Sequence, residues 1–287
     1  MFDEPYNLYL PFDRTTAVVF ASPHSGRNYD LFSDCKTDLD DLAIRSSEDA
    51  FVDELFALAR DVGAPFLTAL APRAFVDLNR DQQELDPALI EGAGSQKHNP
   101  RIASGLGVIP RVVSGGRAIY NGKLRMEEAS DRISHWWHPY HRKLQRLLDE
   151  SLFYYGHAIL IDCHSMPGEA LENVQTAKES DFDIVLGDRF GSSASPAIVE
   201  AVETAFRAQG FSVARNSPFA GAFITQRYGV PKRNQHAVQV EVNRRLYMDE
   251  QSIERLPEFE SVKARISNAV KQIAEIGRSG ETSLAAE

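Results

Sequence analysis

The chain has 287 residues, 43% of them hydrophobic and 25% charged, enough for one large α/β domain or two small ones with a substantial apolar core. Its formal net charge of -10 argues against nucleic acid or an anionic membrane as partner. The opening MFDEPYNLYLPFDR has neither a basic n-region nor an apolar h-region, no apolar run reaches membrane-helix length, and Cys35 and Cys163 lack CxxC spacing; a cytoplasmic protein with reduced cysteines is expected.

Short apolar runs alternate with helical patterns. TTAVVFAS (15–22) reads as a buried strand, and SSEDAFVDELFALARDVG (46–63), opening on serine and acid and closing on glycine, reads as a capped helix. Residues 64–80, APFLTALAPRAFVDLNR, hold one or two strands; 118–155 is mostly helical; HAILIDCHS (157–165) and DFDIVLGD (181–188) are strand-like. A helix over 195–210, an alternating strand over 234–244 and an amphipathic helix over 258–277 complete the order. Strands alternating with helices of this length predict a three-layer α/β fold, a mixed but mostly parallel sheet flanked by helices. No repeat or linker divides the chain, so one domain over 1–287 is expected, with 278–287 a frayed tail. Residues 85–116, rich in Gly, Pro and Ser, are too long for an idle connection and make a candidate lid or substrate loop.

Ligands of open parallel sheets bind beyond the carboxyl ends of the strands. His24 follows VVFASP, Asn79 and Arg80 follow AFVDL, His164 follows AILIDC, and Glu241 and Asn243 lie late in HAVQVEVNR. Glu48 and Asp49 stand in SSEDAF, where a first-turn acid is also explained by the helix dipole. Two histidines and one carboxylate are the usual protein set for a catalytic zinc, with a position left for water or substrate. Glu241 shares a strand face with Gln239 and Asn243, and a carboxylate there needs a partner or a function. It serves as a general base or pairs with an arginine such as Arg80. Cys163 adjoins His164 but faces the other way, so a Cys–His pair is excluded and Cys163 reads as a small core residue. Neither a GxSxG elbow nor a phosphate-loop spacing occurs. HWWHPYH (135–141) spaces three histidines by threes, which suits a helix–sheet interface, a metal pair or a substrate contact at His138.

With SPHSG, EDxxVDELF, VDLNRD, HPYH, DCHSM, FAGAFITQRYG and QVEVNRRLYM in order, the chain resembles the N-formylglutamate amidohydrolase (N-formylglutamate deformylase) family over residues 15–250. The resemblance implies a zinc carboxypeptidase-like (phosphorylase/hydrolase-like) fold and hydrolysis of an amide with one Zn2+ per chain. It implies that His24 and His164 bind the metal with Asp49 as third ligand, Glu48 being the adjacent alternative. Glu241 resembles the general acid/base, and Asn79 and Arg80 the clamp for a substrate carboxylate or oxyanion. Gln226 and Arg227 in GAFITQRYG stand where relatives carry Arg and His, and with His138 and Asn243 complete the expected substrate contacts. N-formyl-L-glutamate would be cut to formate and L-glutamate, the last step of one histidine degradation route, by a monomer or weak homo-oligomer. A larger N-acyl or peptide substrate, or a metal-free binding protein on the same scaffold, are the alternatives.

Overall fold

A computed structural model describes residues 4–94, 99–172 and 182–278. The strands are β1 (Tyr6–Tyr9), β2 (Val18–Ser22), β3 (Phe66–Ala69), β4 (Ala158–Met166), β5 (Ile184–Gly187), β6 (Val213–Arg215) and β7 (Gln235–Asn243). They form one seven-stranded sheet in the order β1-β3-β2-β4-β7-β5-β6. β1–β3 and β5–β7 are antiparallel, and the other four pairings are parallel. This is the mixed, mostly parallel α/β sheet the sequence predicts.

Side-chain alternation divides the sheet between two cores. Val18, Phe20, Ile159, Ile161, Cys163, Val238 and Val240 enter one cluster, shared with the helices Pro196–Arg207 and Phe259–Ile276. Val19, Ala21, Leu160 and Ala237 enter the other, beneath the helix His138–Tyr155. Cys163 is a core residue, as expected. On the second face the strands turn polar toward their carboxyl ends: β4 continues with Asp162 and His164, and β7 with Gln239 and Glu241, in register as Asp162–Gln239 and His164–Glu241.

One helical expectation changes. Residues 46–63 do not form one helix: Val52–Leu55 is a single turn and Ala57–Val62 a 3-10 segment, with Phe51 left-handed at a φ of 64° before them. Asp49 therefore lies in the loop that precedes the helix. Residues 64–80 contain one strand, β3, within the one or two expected. Of 118–155, the helical part is Met126–Tyr155, with a π-helical turn at Ile133–Trp137.

The 85–116 segment is packed, not idle. Leu89, Ile90, Ile102, Val108, Ile109 and Val113 enter the second core. Arg111 Nε donates to Asp86 Oδ2 at 2.8 Å, and Asp77 N donates to Val108 O at 2.8 Å. Residues 95–98 of that segment and 279–287 of the expected tail lie outside the described residues.

Candidate active site

His24 leaves the end of β2 in the loop Ser22-Pro-His-Ser-Gly. Gly26 fixes that loop against the strand beside it: a Cβ there would lie 2.1 Å from Ala71 O, closer than any side chain allows. The next element is docked by backbone, Asp49 N donating to His24 O at 3.1 Å. His164 comes from the neighbouring strand β4, and the two imidazole rings stand edge to face with centroids 4.7 Å apart.

His24, Asp49 and His164 are all buried, and one ligand atom of each lies within 4.8 Å of the others. The Oδ2 of Asp49 is 3.0 Å from Nδ1 of His164 and 3.4 Å from Nδ1 of His24. His24 Nδ1 makes no hydrogen bond among the described residues, although it is buried. The far nitrogens stand beside carboxylates: His24 Nε2 is hydrogen-bonded to Asp77 Oδ1 at 2.7 Å, and His164 Nε2 lies 3.1 Å from Asp162 Oδ2. At His24 this is how proteins orient an imidazole toward a cation, with the outer nitrogen on an acid and the inner one without a hydrogen bond, while Nδ1 of His164 meets Asp49 Oδ2. Two nitrogens and one oxygen, a buried orphan among them, fit a divalent metal ion.

The electrostatics agree. Burial pushes Asp49 up, but His164 and His24 outweigh it and hold its carboxyl well below the ordinary range. His164 is lowered by burial and raised by Asp162, Asp49 and Glu241, ending well above its ordinary value. Three carboxylates around one imidazole call for a positive charge, a proton or a metal ion. Glu241 is pushed up to about 7, mainly by burial and by the nearby Asp49 charge, against the pull of His164. Its Oε1 accepts a hydrogen bond from Gln239 Nε2 at 2.7 Å.

These groups face a cavity of about 260 Å³. Of the residues expected from sequence, it brings together His24, Asp49, His164, Asn79, Arg80 and Glu241. Asn79 is pinned by Ile224 N, which donates to its Oδ1 at 2.8 Å, and its Nδ2 lies 3.2 Å from His164 Nε2. Arg80 spends Nε on Leu106 O and Nη1 on Asn79 O, and among the described residues Nη2 takes no hydrogen-bond partner.

Five expectations fall elsewhere. Glu48 turns away from the histidines and is taken by Arg45 Nε and Tyr29 OH, each at 2.9 Å. Gln226 and Arg227 are exposed on the helix Phe223–Tyr228, and only the preceding 218–222 segment lines the cavity. His138 is half-buried against Trp137 and also lies outside the cavity lining. Asn243 is a cap, accepting from Arg245 N at 3.1 Å and donating to Phe182 O at 3.2 Å. The HWWHPYH stretch acts from behind. Trp137 Nε1 donates to Arg80 O at 2.9 Å, and His141 Nε2 donates to Leu78 O at 2.9 Å. Burial drives His141 down to about 3, so it is neutral.

The lining residues not assigned to the site from sequence include Arg73, Arg101, Gln239 and Arg244. Arg244 Nη2 donates to Asp49 Oδ1 at 3.0 Å, which leaves Oδ2 toward the histidines, and its Nε donates to Ser165 Oγ. Arg73 Nη1 stands 3.9 Å from the same Asp49 oxygen. Arg244 directly follows a strand end, so the strand-end rule reaches it; Arg73 and Arg101 lie in connections and carry no such signal.

A buried His-Asp-His group at the strand ends of an α/β sheet, with a raised carboxyl beside it, could hold a metal ion and is the kind of arrangement metal-assisted hydrolases use. The sequence pattern of the N-formylglutamate amidohydrolase family matches residues 16–248. The chain is 30% identical over 238 residues to an N-formylglutamate deformylase of Pseudomonas putida, covering 81% of this chain and 82% of that one. It is 29% identical to the deformylase of Pseudomonas aeruginosa over a similar share, 82% and 83%. The crystal structure of N-formylglutamate amidohydrolase from Ralstonia eutropha superposes with a TM-score of 0.88 at 32% identity, covering 96% of this chain and 98% of that one. An Agrobacterium tumefaciens protein of 15% identity shares the fold at a TM-score of 0.60. The chain belongs to the N-formylglutamate amidohydrolase family and is a hydrolase of that family. No described helix is long and apolar enough to cross a membrane.

Proposed function

We propose that this chain is a zinc-dependent amidohydrolase that cleaves the N-acyl amide of an acidic amino acid, with N-formyl-L-glutamate as the first substrate. The observation that carries the reading is Glu241, in register with His164 on the adjacent strand and pushed up to about 7. His24, Asp49 and His164 would hold the ion. When bound, zinc supplies Lewis acidity, polarising a carbonyl and lowering the pKa of a water to about 7.

The remaining work belongs to the side chains. Glu241, ionised, takes the proton of the attacking water and then delivers it to the leaving amine nitrogen, the work of a general acid/base. Arg73, beside Asp49 on the cavity wall, donates to the oxyanion that develops as the carbonyl is attacked. Arg80 and Arg101 flank the cavity and give a two-carboxylate amino acid its counter-charges. A binding protein has no use for a buried bare imidazole nitrogen beside an uncomfortable carboxyl, so the amidohydrolase is favoured over the metal-free alternative. Two free cysteines suit a reducing compartment and hence the cytoplasm.

The test is formate release from N-formyl-L-glutamate by the purified chain, with and without chelator, beside Glu241→Gln. Release should be abolished by chelator and lowered roughly a hundred- to ten-thousandfold by the substitution, the span typical of a general base. Bound metal without formate release would remove the formylglutamate assignment; release that survives full metal removal would remove the metal.

A further inference from the structure

The cleft does not end at the catalytic cavity. A second cavity of about 330 Å³ adjoins it, and Arg73, Pro167 and Arg244 belong to the walls of both. The catalytic cavity alone falls below the roughly 300–1,000 Å³ of an ordinary ligand pocket and the second sits at its lower edge, whereas the two together fall well inside that range.

Their chemistry differs. Arg80 and Arg101 line the catalytic cavity alone, whereas Leu106, Pro110, Val112 and Val113 line the second. The charged side chains of the second wall are turned to one another and to the site. Arg73 Nε donates to Asp77 Oδ2 at 3.3 Å, Asp77 holds His24, and Arg244 holds Asp49. Asp77, Arg244 and Nε of Arg73 are thus engaged within the wall, the Nη groups of Arg73 stand where the two cavities share it, and the rest of the second wall is aliphatic with serine hydroxyls at the rim. It is also built. Ser114 N donates to Ser47 Oγ at 3.0 Å, and Val113 N to Arg117 O at 2.9 Å.

An amide substrate has two halves on either side of its carbonyl. With that carbonyl at the His-Asp-His group, a carboxylate-bearing amino acid belongs toward Arg80 and Arg101, and the acyl half points past Arg73 and Arg244. A formyl group has no carbon beyond its carbonyl and would leave the second cavity unused. We propose that the second cavity is an acyl pocket, and that the chain hydrolyses N-acyl amino acids carrying short, neutral aliphatic acyl groups at least as well as N-formyl ones. The inference rests on the amidohydrolase reading above. The reaction is the same: the C–N bond breaks, the water's hydroxyl joins the acyl carbon and its proton goes to the amine, giving a carboxylic acid and the free amino acid.

The experiment measures kcat/KM of the metal-loaded full chain for N-formyl-, N-acetyl-, N-propionyl- and N-butyryl-L-glutamate, read as glutamate release. The expected result is a rise along the series of up to roughly fourfold per carbon, the fold-change that corresponds to burying one methylene. Ser104→Trp and, independently, Ser114→Trp place an indole at the exposed rim of the second cavity and should reverse the chain-length trend. A wild-type series that falls steeply after formyl overturns the acyl pocket while leaving the formyl hydrolase standing. Turnover of none of the four overturns both. A trend that persists in two tryptophan variants of wild-type melting temperature puts the acyl chain elsewhere and overturns the assignment.

Discussion

Asp77 serves three groups with one carboxylate: His24 Nε2 at 2.7 Å, Asn79 N at 2.8 Å and Arg73 Nε at 3.3 Å. Burial alone would raise its pKa, yet His24, Arg73 and Arg80 hold it well below the usual carboxylate range. It therefore stays charged and keeps a proton on the outer nitrogen of His24, leaving Nδ1 free to bind metal. Asp77→Asn keeps the shape and removes the charge, so metal affinity should fall about 10- to 100-fold, measured by competition with a coloured chelator. Unchanged affinity would remove Asp77 from the site. The sequence made His24, His164 and Glu241 legible as polar residues at the ends of apolar strands, and Asp49 only as an acid of SSEDAF that the family resemblance sets beside them. Asp77 and Asp162 sit in the same short motifs and went unread, because which acid meets which imidazole is decided by how strands are placed side by side. His138, Gln226, Arg227 and Asn243 lie outside the cavity lining: the first three sit on helices, whose exposed face proximity to a motif along the chain does not fix, and Asn243 ends β7 as a cap.

At the level of elements, the site is braced by a helix that contributes no residue to the lining of the catalytic cavity. The π-helical turn at Ile133–Trp137 runs into the helix His138–Tyr155, and together they set Trp137 Nε1 on Arg80 O and His141 Nε2 on Leu78 O. Two carbonyls of the Asp77–Arg80 segment are thus tied to one rigid element. Trp137→Phe keeps most of the packing and loses one hydrogen bond, a net effect of about 0.5–1.5 kcal/mol. Because that bond positions Arg80 and leaves Glu241 untouched, KM should rise roughly two- to tenfold with kcat nearly constant, as steady-state kinetics on N-formyl-L-glutamate would show. A loss confined to kcat would refute this division of labour. HWWHPYH was legible as an interface with the sheet but not as the support of a particular backbone segment. The supposed helix over 46–63 failed for a related reason: its capping pattern is sound, yet tertiary contacts bend the chain at Phe51 so that Asp49 can hydrogen-bond back to His24.

Across the whole molecule, strand–helix alternation revealed the three layers, whereas the order β1-β3-β2-β4-β7-β5-β6 depends on long crossovers that no local pattern records. That order puts β4 between β2 and β7 and so concentrates ionisable groups at one end of the sheet, which couples folding to pH and to metal. Asp49 and Asp77 have folded values below their ordinary 3.8, so their contribution is present above that pH and is lost as pH falls. His164 is raised above 6.5, so its contribution is complete below 6.5 and is lost as pH rises through the raised value. Glu241 moves from 4.5 to about 7, so the folded chain keeps a proton that the unfolded chain gives up, and stability declines as pH climbs between those values. Metal-stripped protein should thus melt highest in mildly acid solution and progressively lower from about pH 4.5 through 7 and beyond. A divalent cation replaces the proton at His164 and favours ionised Glu241, so loading should release protons and move the stability maximum toward neutral pH. Melting temperatures across pH, with and without metal, test this, each kcal/mol being worth about 2–4 °C in a domain near this size. Glu241→Gln, stripped of metal, should flatten the decline between pH 4.5 and 7. Parallel profiles for loaded and stripped protein would mean that the cation binds elsewhere than at His24, Asp49 and His164.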